Sequence, residues 1–269
     1  MDFNAVLTAV IIVGAIGLLV GIFLGIGAIV FKVETDPRED EVLKALPGNN
    51  CGGCGFPGCS GLAAAIVKGE AEVGQCPVGG AEVAAKIGAI MGVETNTKEK
   101  MVAFVACHAH NDDITLDYEY TGVEDCRMLG FVPNGGPKSC NFGCLGFGTC
   151  ASVCPFDAIH VVDGVAVVDR DKCKACGKCV SVCPKNLISL IPFSSQYAVA
   201  CSNKEKGPVA MKQCKAACIG CGICAKNCPV GAVTVTDFVA KIDPELCKNC
   251  GVCKEKCPKK SIDDLQSKE

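Results

Sequence analysis

Twenty-four of the 269 residues are cysteine, and their spacing constrains this chain more than anything else in it. Six of them, Cys150, Cys154, Cys173, Cys176, Cys179 and Cys183, recur 74 positions later as Cys224, Cys228, Cys247, Cys250, Cys253 and Cys257. So regular a repeat means a duplicated module. Cys218, Cys221 and Cys224 form a C-x-x-C-x-x-C run, and Cys247, Cys250 and Cys253 form another. Cys228-Pro229 and Cys257-Pro258 follow them. Three thiolates at this spacing wrap three corners of a cubane and leave the fourth to come from elsewhere. In two-cluster ferredoxins the fourth cysteine of each run ligates the other cluster. The pattern therefore pairs Cys218, Cys221 and Cys224 with Cys257, and Cys247, Cys250 and Cys253 with Cys228.

The first copy has Cys173, Cys176 and Cys179 in the same form, to be completed by Cys154. Its leading run departs from the pattern: Cys140, Cys144, Cys150 and Cys154 have three, five and three residues between them. The expectation is still one cluster on Cys140, Cys144, Cys150 and Cys183. Nearer the N-terminus, Cys51, Cys54 and Cys59 are followed by Cys76, with Gly52, Gly53, Gly55 and Gly58 interleaved. Zinc is the rival ligand for such a group, but zinc sites usually use two C-x-x-C pairs. This group is three plus one, and a [4Fe–4S] cluster fits it better. Twenty cysteines thus make five clusters. Cys107, Cys126, Cys201 and Cys214 are left over, as a sixth cluster or as buried thiols packing like small hydrophobes.

A disulfide scaffold is excluded only once the compartment is known, and the N-terminus addresses that. Residues 5–31 carry no charge, and about 20 apolar residues span a bilayer core as a helix. The segment before them, Met1-Asp2-Phe3-Asn4, lacks the basic residues of a secretory signal. Lys32, Arg38 and Lys44 follow the run and none precedes it. The positive-inside rule then puts the body of the chain in the cytoplasm, at a cell (inner) membrane. That compartment keeps thiols reduced. Gly14, Gly17, Gly21 and Gly25 share one face of the helix, as in helices that pack closely against a partner.

The expected class is α+β. Residues 1–31 are a transmembrane anchor and 32–92 a small helical four-Cys [4Fe–4S] domain, with helices from Asp36-Pro37 to Pro47-Gly48, over 60–67 and over 81–91. A linker or small domain follows at 93–134, with alternation at 101–105. Dicluster ferredoxin modules occupy 135–192 and 215–269, joined by a connector at 193–214. Asp163-Gly164 predicts a type I′ turn between strands at 159–162 and 165–168, and strands at 233–236 and 238–242 are expected in the second copy. Aromatic residues make up only 5% and tryptophan is absent, which suits small modules rather than one large core.

Charge is uneven. Residues 32–134 hold 8 basic and 16 acidic side chains, whereas 201–260 hold 11 lysines and 5 acids. With no aromatic interleaving or Arg-rich run, nucleic acid is not the expected partner. The lysines, Lys248, Lys254, Lys256, Lys259 and Lys260 among them, are either a solvated face or a dock for an acidic protein. His108 and His110 lie near Cys107, where a mixed His/Cys site competes with ordinary exposed histidines. No G-x-G-x-x-G after a strand, phosphate loop or catalytic triad is present, so no nicotinamide or flavin pocket and no catalytic residues are expected in this chain.

The order of these parts resembles a known family. An apolar N-terminal helix precedes Asn50-Cys51-Gly52-Gly53-Cys54-Gly55 with Cys59 and Cys76. Gly143-Cys144-Leu145-Gly146 and the ferredoxin repeats follow. The chain is similar over essentially its whole length to the B subunits of the Rnf complex. The resemblance implies a translocase-type ferredoxin:NAD oxidoreductase that couples electron flow to Na+ or H+ transport. The B subunit would be its cytoplasmic entry point for electrons from an acidic ferredoxin, with the cysteines named above as ligands and the other Rnf subunits as partners. In proteobacterial relatives a similar complex keeps a redox-sensing transcription factor reduced. Two other readings stand beside this one: a membrane-tethered metal-binding adaptor, and an electron-transfer subunit of another membrane redox complex.

Overall fold

The computed structural model describes residues 3–30, 36–95 and 99–266, and within the first helix the side chains of 7–8 and 11–27. Helix α1 runs Phe3–Val30 and is apolar on every side. Leu7, Ile11, Val13, Leu18, Phe23 and Leu24 are among its exposed side chains. Among the described residues no helix is long and apolar enough to cross a membrane. Of α1, the unbroken stretch with described side chains is 11–27, a little short of the roughly 20 residues a bilayer core takes. The helix expected within 5–31 is therefore found, while a span is not established by the described residues. Phe31 and Lys32 lie outside them.

Three helices build the next unit: α2 (Pro37–Ala45), α3 (Cys59–Val67) and α4 (Gly80–Met91). Asp36 caps α2, its carboxylate accepting from the Arg38 amide at 2.9 Å, and Pro37 sits where its missing N–H costs nothing. Val42, Leu62, Ile66 and Ile87 close the core, together with Cys59 and Cys76. Gly92 ends α4 at φ 67°, left-handed backbone that favours glycine.

Each ferredoxin half then repeats one plan. The first contains β1 (Met101–Val105), α5 (Thr149–Ser152), β2 (Ile159–Val162), β3 (Val165–Val168), α6 (Lys178–Val182) and β4 (Ile188–Pro192). The second contains β5 (Tyr197–Val199), α7 (Gly207–Gln213), α8 (Ile223–Lys226), β6 (Val233–Thr236), β7 (Val239–Ile242), α9 (Val252–Glu255) and β8 (Ile262–Asp264). Among the described residues the sheets are antiparallel pairs: β1 with β4, β2 with β3, β5 with β8 and β6 with β7.

The hairpin at 159–168 forms in the expected register, with Asp163 (φ 46°) and Gly164 (φ 78°) in the type I′ turn. Its counterpart differs by one residue. Phe238, expected in the strand, is a turn residue at φ 60° and half-exposed. A type I′ turn needs both central residues left-handed, and pairing of Thr236 with Val239 leaves Asp237 (φ 51°) and Phe238 to supply them. Residues 93–134, expected as a linker or small domain, contribute β1, whose Val105 pairs with Ile188. Likewise the connector at 193–214 contributes β5, whose Val199 pairs with Ile262.

The two halves are tied along a seam. Ile114 bridges to Cys214, and the Lys215 amide donates to the Asp113 carbonyl at 2.8 Å. His108 Nδ1 meets Asp263 Oδ1 at 2.6 Å. Burial disfavours the charged ring, but the Asp263 hydrogen bond and charge outweigh it, and the His108 pKa lies above its ordinary value. His108 is thus an interface residue, not an exposed histidine. The Arg170 guanidinium donates to the carbonyls of Phe193, Ser195 and Leu265, fastening the far end of the same seam.

In each half one glycine lets the hairpin turn settle over the cysteine loop. A β-carbon on Gly146 (φ 85°) would lie 2.5 Å from the Gly164 carbonyl oxygen, and one on Gly220 (φ 63°) 2.6 Å from that of Phe238. Both the conformation and the space exclude a side chain. Gly220→Ala is expected to destabilise its half by roughly 1–3 kcal/mol. Loss of secondary-structure circular dichroism should come at a lower temperature than in the parent protein.

Candidate metal centres

Among the described residues no three His, Cys, Asp or Glu side chains come close enough to share a single metal ion. A tetrahedral zinc would need its sulfurs about 2.3 Å from one point. Cysteines instead line shared cavities with apolar walls. No two of the 24 cysteines are joined in a disulfide.

In the second half, Cys218, Cys221, Cys224 and Cys257 line one cavity, roofed by Val235, Ala240 and Ile262. This is the expected grouping. Cys221 is exposed and Cys224 buried. Burial, then the neighbouring Cys218, Cys257 and Cys221, push the Cys224 thiol up to about 11. Cys247 and Cys250 lie beside Cys253, and Cys228 packs into the same apolar cluster. Burial works against Cys228 ionising, but the amides of residues 230–233 converge on its sulfur and hold its pKa below the usual thiol value. In the first half, Cys154, Cys173, Cys176 and Cys179 line a cavity with Ala103, Phe156 and Ile159, again as expected. The amides of Ala103 and Ala158 donate to the sulfurs of Cys173 and Cys154 at 3.4 and 3.5 Å.

The remaining cavity of the first half departs from expectation. Cys144, Cys150 and Cys183 line it, but the fourth cysteine is Cys126 and not Cys140. Cys140 faces a different cavity. The repeat explains the exchange. Moved back 74 positions, Cys218, Cys224 and Cys257 fall on Cys144, Cys150 and Cys183, whereas Cys221 falls on Phe147. A loop leaving at Leu116 and returning at Lys138, closed by a bridge between those two residues, fills the gap. Phe147 packs under that loop, edge-on to Tyr120 at 5.5 Å, beside Leu129 and Leu145. Thr149 fixes the loop's approach: its hydroxyl accepts from the Cys126 amide at 2.8 Å and donates to Asp125 at 2.9 Å. The Arg127 hydrogen bonds hold the Asp125 carboxyl well below the usual range. Burial, then Cys144, Cys126 and Cys183, push Cys150 up to about 12. The missing run position at Phe147 was the sequence signal for Cys126.

In the small helical unit Cys59 and Cys76 are buried and Cys51 and Cys54 partly exposed, and Cys54 and Cys59 lie near Cys76. Burial raises the Cys76 pKa, and Cys54 and Cys59 add to the rise against amides of Val78 and Gly79. Asn50 Oδ1 accepts from the Cys59 amide at 2.8 Å, and Gln75 Nε2 donates to the Cys54 carbonyl at 3.1 Å, cross-bracing the loop. This loop abuts the first ferredoxin half. A β-carbon on Gly53 would stand 2.7 Å from the Cys176 carbonyl oxygen, and Cys51 is close enough to Cys176 to raise its pKa, after burial.

Three family models match. The FeS family, described as an Fe-S cluster, covers residues 46–78. An LdpA Fe-S cluster-binding domain covers 137–193 and a 4Fe-4S dicluster domain covers 217–261. Over 91% of its length the chain is 48% identical to the B subunit of the Na(+)-translocating ferredoxin:NAD(+) oxidoreductase complex of Acetobacterium woodii, covering 74% of that protein. It is 43% identical to the B subunit of the ion-translocating oxidoreductase complex of Methanosarcina acetivorans, covering 91% of this chain and 92% of the relative. The B subunit of the proton-translocating ferredoxin:NAD(+) oxidoreductase complex of Clostridium ljungdahlii is 38% identical, over 91% and 86% of the two chains. The chain belongs to this family of B subunits. Its iron–sulfur character follows from the matched domains, which fall on the small helical unit and the two cysteine-rich halves.

The Gly53 contact is where the small unit and the first ferredoxin half meet cysteine loop to cysteine loop. Gly53→Val is expected to part them without touching the core of Val42, Leu62, Ile66 and Ile87. The loop at residues 51–59 should then lose its protection, read as faster backbone amide exchange there than in the parent protein.

Proposed function

We propose that this chain is the membrane-anchored electron-transfer subunit of an ion-translocating ferredoxin:NAD oxidoreductase complex. The observation that carries the reading is the set of cysteine cavities in the two ferredoxin halves, with the cysteine loop of the small helical unit against the first of them. Each bound [4Fe–4S] cluster would take up and release one electron at a time, at a potential set by its surroundings. The residues proposed as ligands are Cys51, Cys54, Cys59 and Cys76; Cys126, Cys144, Cys150 and Cys183; Cys154, Cys173, Cys176 and Cys179; Cys218, Cys221, Cys224 and Cys257; and Cys228, Cys247, Cys250 and Cys253. The donor set fits: soft thiolates, backbone amides aimed at sulfur, and apolar walls that exclude water. Thiols lose their protons when they bind metal, so binding releases protons.

The exposed end of this set is the second half. Cys221 and Cys250 reach the surface, and Lys248, Lys254, Lys256 and Lys260 of the same half are exposed, Lys254 paired with Asp264 at 3.4 Å. That basic rim suits an acidic ferredoxin as electron donor. At the other end, α1 presents apolar side chains all round, which suits a lipid-facing helix better than a surface helix with one buried stripe. Lys32, Arg38 and Lys44 after it favour a cytoplasmic body. The remaining subunits of the complex are its partners. The relatives' names include both sodium and proton translocation, and nothing in this chain's residues selects the ion.

Anaerobically purified protein should carry at least about 20 irons with matching sulfide, four per cubane. Stoichiometric zinc with little iron would favour the adaptor reading. Cys126→Ala should remove about four irons, and a full complement in that variant would return Cys126 to the pool of plain thiols. Electron uptake from an acidic ferredoxin should slow as salt rises. Lys248→Glu with Lys256→Glu should slow it about tenfold at low salt, and a salt-independent rate counts against the basic dock.

A further inference from the structure

We propose that the Asp237-Phe238 turn of the second half is the contact point for an acidic redox protein, with the Phe238 ring as its apolar anchor. The inference rests on the electron-transfer reading above and deepens it. That reading supplies a basic rim, and Phe238 supplies the side chain that fixes the partner in place.

The two halves build the same turn from different residues. Asp163-Gly164 and Asp237-Phe238 are 74 positions apart, the period of the repeat. The second residue of each turn is left-handed, Gly164 at φ 78° and Phe238 at φ 60°. Glycine adopts that backbone freely, whereas a bulky side chain there is an outlier. The hairpin does not need the ring. Strands β6 and β7 pair in the register of β2 and β3, and Phe238 is 47% exposed. A side chain kept at a conformational cost and left in solvent points to a role outside the fold.

In the first half the chain covers this ground itself. A β-carbon on Gly164 would run into the Asn111 carboxamide. The Asn111 amide donates to the Asp163 carbonyl at 3.0 Å, and Lys138 Nζ donates to the Gly164 carbonyl at 2.7 Å. Asn111 opens the stretch that continues into the loop carrying Cys126. Residues 111–125 hold six acids and no Lys or Arg. The second half lacks this loop: 34 residues lie between Val105 and Cys140, but only 14 between their counterparts Val199 and Cys214. Among the described residues no backbone group from outside the hairpin bonds to the Asp237-Phe238 turn.

Charge selects what fits the open place. An acidic segment covers the first turn, so an acidic surface suits the second. Residues 218–260 carry seven lysines against four acids. Lys259 lines the cavity of Cys218, Cys221, Cys224 and Cys257. Exposed Lys226 and Lys241 lie on α8 and β7, whose Cys224 and Ala240 belong to the same wall. The Phe238 carbonyl lies over Gly220, next to Cys221, the cysteine of that set that reaches the surface. A partner seated on Phe238 therefore stands at the exposed sulfur. One electron would cross there, the partner's centre being oxidised and the cluster on these four cysteines reduced, with no bond made or broken.

Equilibrium binding tests this on the full chain, purified without oxygen with its iron and titrated with an oxidised acidic two-cluster ferredoxin. Phe238→Gly and Phe238→Asn both suit the left-handed position, so the turn is kept. Each is expected to weaken binding about tenfold, as loss of a central aromatic anchor does, with iron content and bleaching by dithionite unchanged. Phe238→Tyr keeps the ring and should bind within about twofold of the parent. Parent-like binding by the Gly and Asn variants would overturn the anchor. So would a Tyr variant as weak as they are, or a parent chain that dimerises while Phe238→Asn stays monomeric and binds ferredoxin unchanged, which would give the face to a second copy. An iron-loaded parent chain that binds no acidic ferredoxin would instead overturn the donor reading on which the anchor rests.

Discussion

Four sulfurs from separate loops must reach one cavity, and most of this structure depends on that requirement. The apolar cores are thin without it. In the second ferredoxin half the buried cluster is Val199, Cys224, Val233, Ala240, Cys253 and Ile262, so two of its six members are themselves cysteines. In the small helical unit Cys59 and Cys76 sit among Val42, Leu62, Ile66 and Ile87. Domains this small bury too little apolar surface to be secure on packing alone. Metal binding then contributes to folding, because an assembled set of thiolates rarely exists in the unfolded chain.

The same requirement accounts for the unusual backbone. Loops that turn three side chains inward must turn their amides inward too, and both hairpin turns close down on them. Gly146 and Gly220 stand where that closure leaves no room for a β-carbon. The sheets are only pairs of strands, which are marginal alone. Here each lies against a cysteine cavity, and the outer pairs β1–β4 and β5–β8 lead to the seam between the halves. His108 with Asp263, and Arg170 with three carbonyls, fasten the seam at two places. The two halves are therefore one body, in contact with the small unit at Gly53 and Cys176.

Several elements were legible because their causes are local. The type I′ turn at Asp163-Gly164, the Asp36-Pro37 helix start and the Ala-rich helices follow from a few adjacent residues. So did the regular C-x-x-C-x-x-C runs, whose groupings Cys218–Cys221–Cys224–Cys257 and Cys154–Cys173–Cys176–Cys179 reappear as shared cavities. Phe238 was misplaced by one residue because turn geometry, set by strand register, overrode its preference for a strand. Strand β1 looked like part of a linker because its partner, β4, is more than eighty positions away.

The sequence by itself determined that the chain is a duplicated cysteine-run protein with an apolar N-terminal helix and a separate four-cysteine unit. Spacing and periodicity are properties of neighbouring residues, and neighbours suffice to read them. Only the tertiary structure decided which cysteines share a cavity where the run is broken. Cys126 replaces the position held by Phe147, and Cys140 turns away to meet Cys107, Cys201 and Cys214. Proximity in sequence favoured Cys140 for the broken run. What places a sulfur is the path of the backbone, here the loop closed at Leu116 and Lys138 and the strand pairings that end at Cys107 and Cys201. Those are long-range contacts, and no local pattern encodes them.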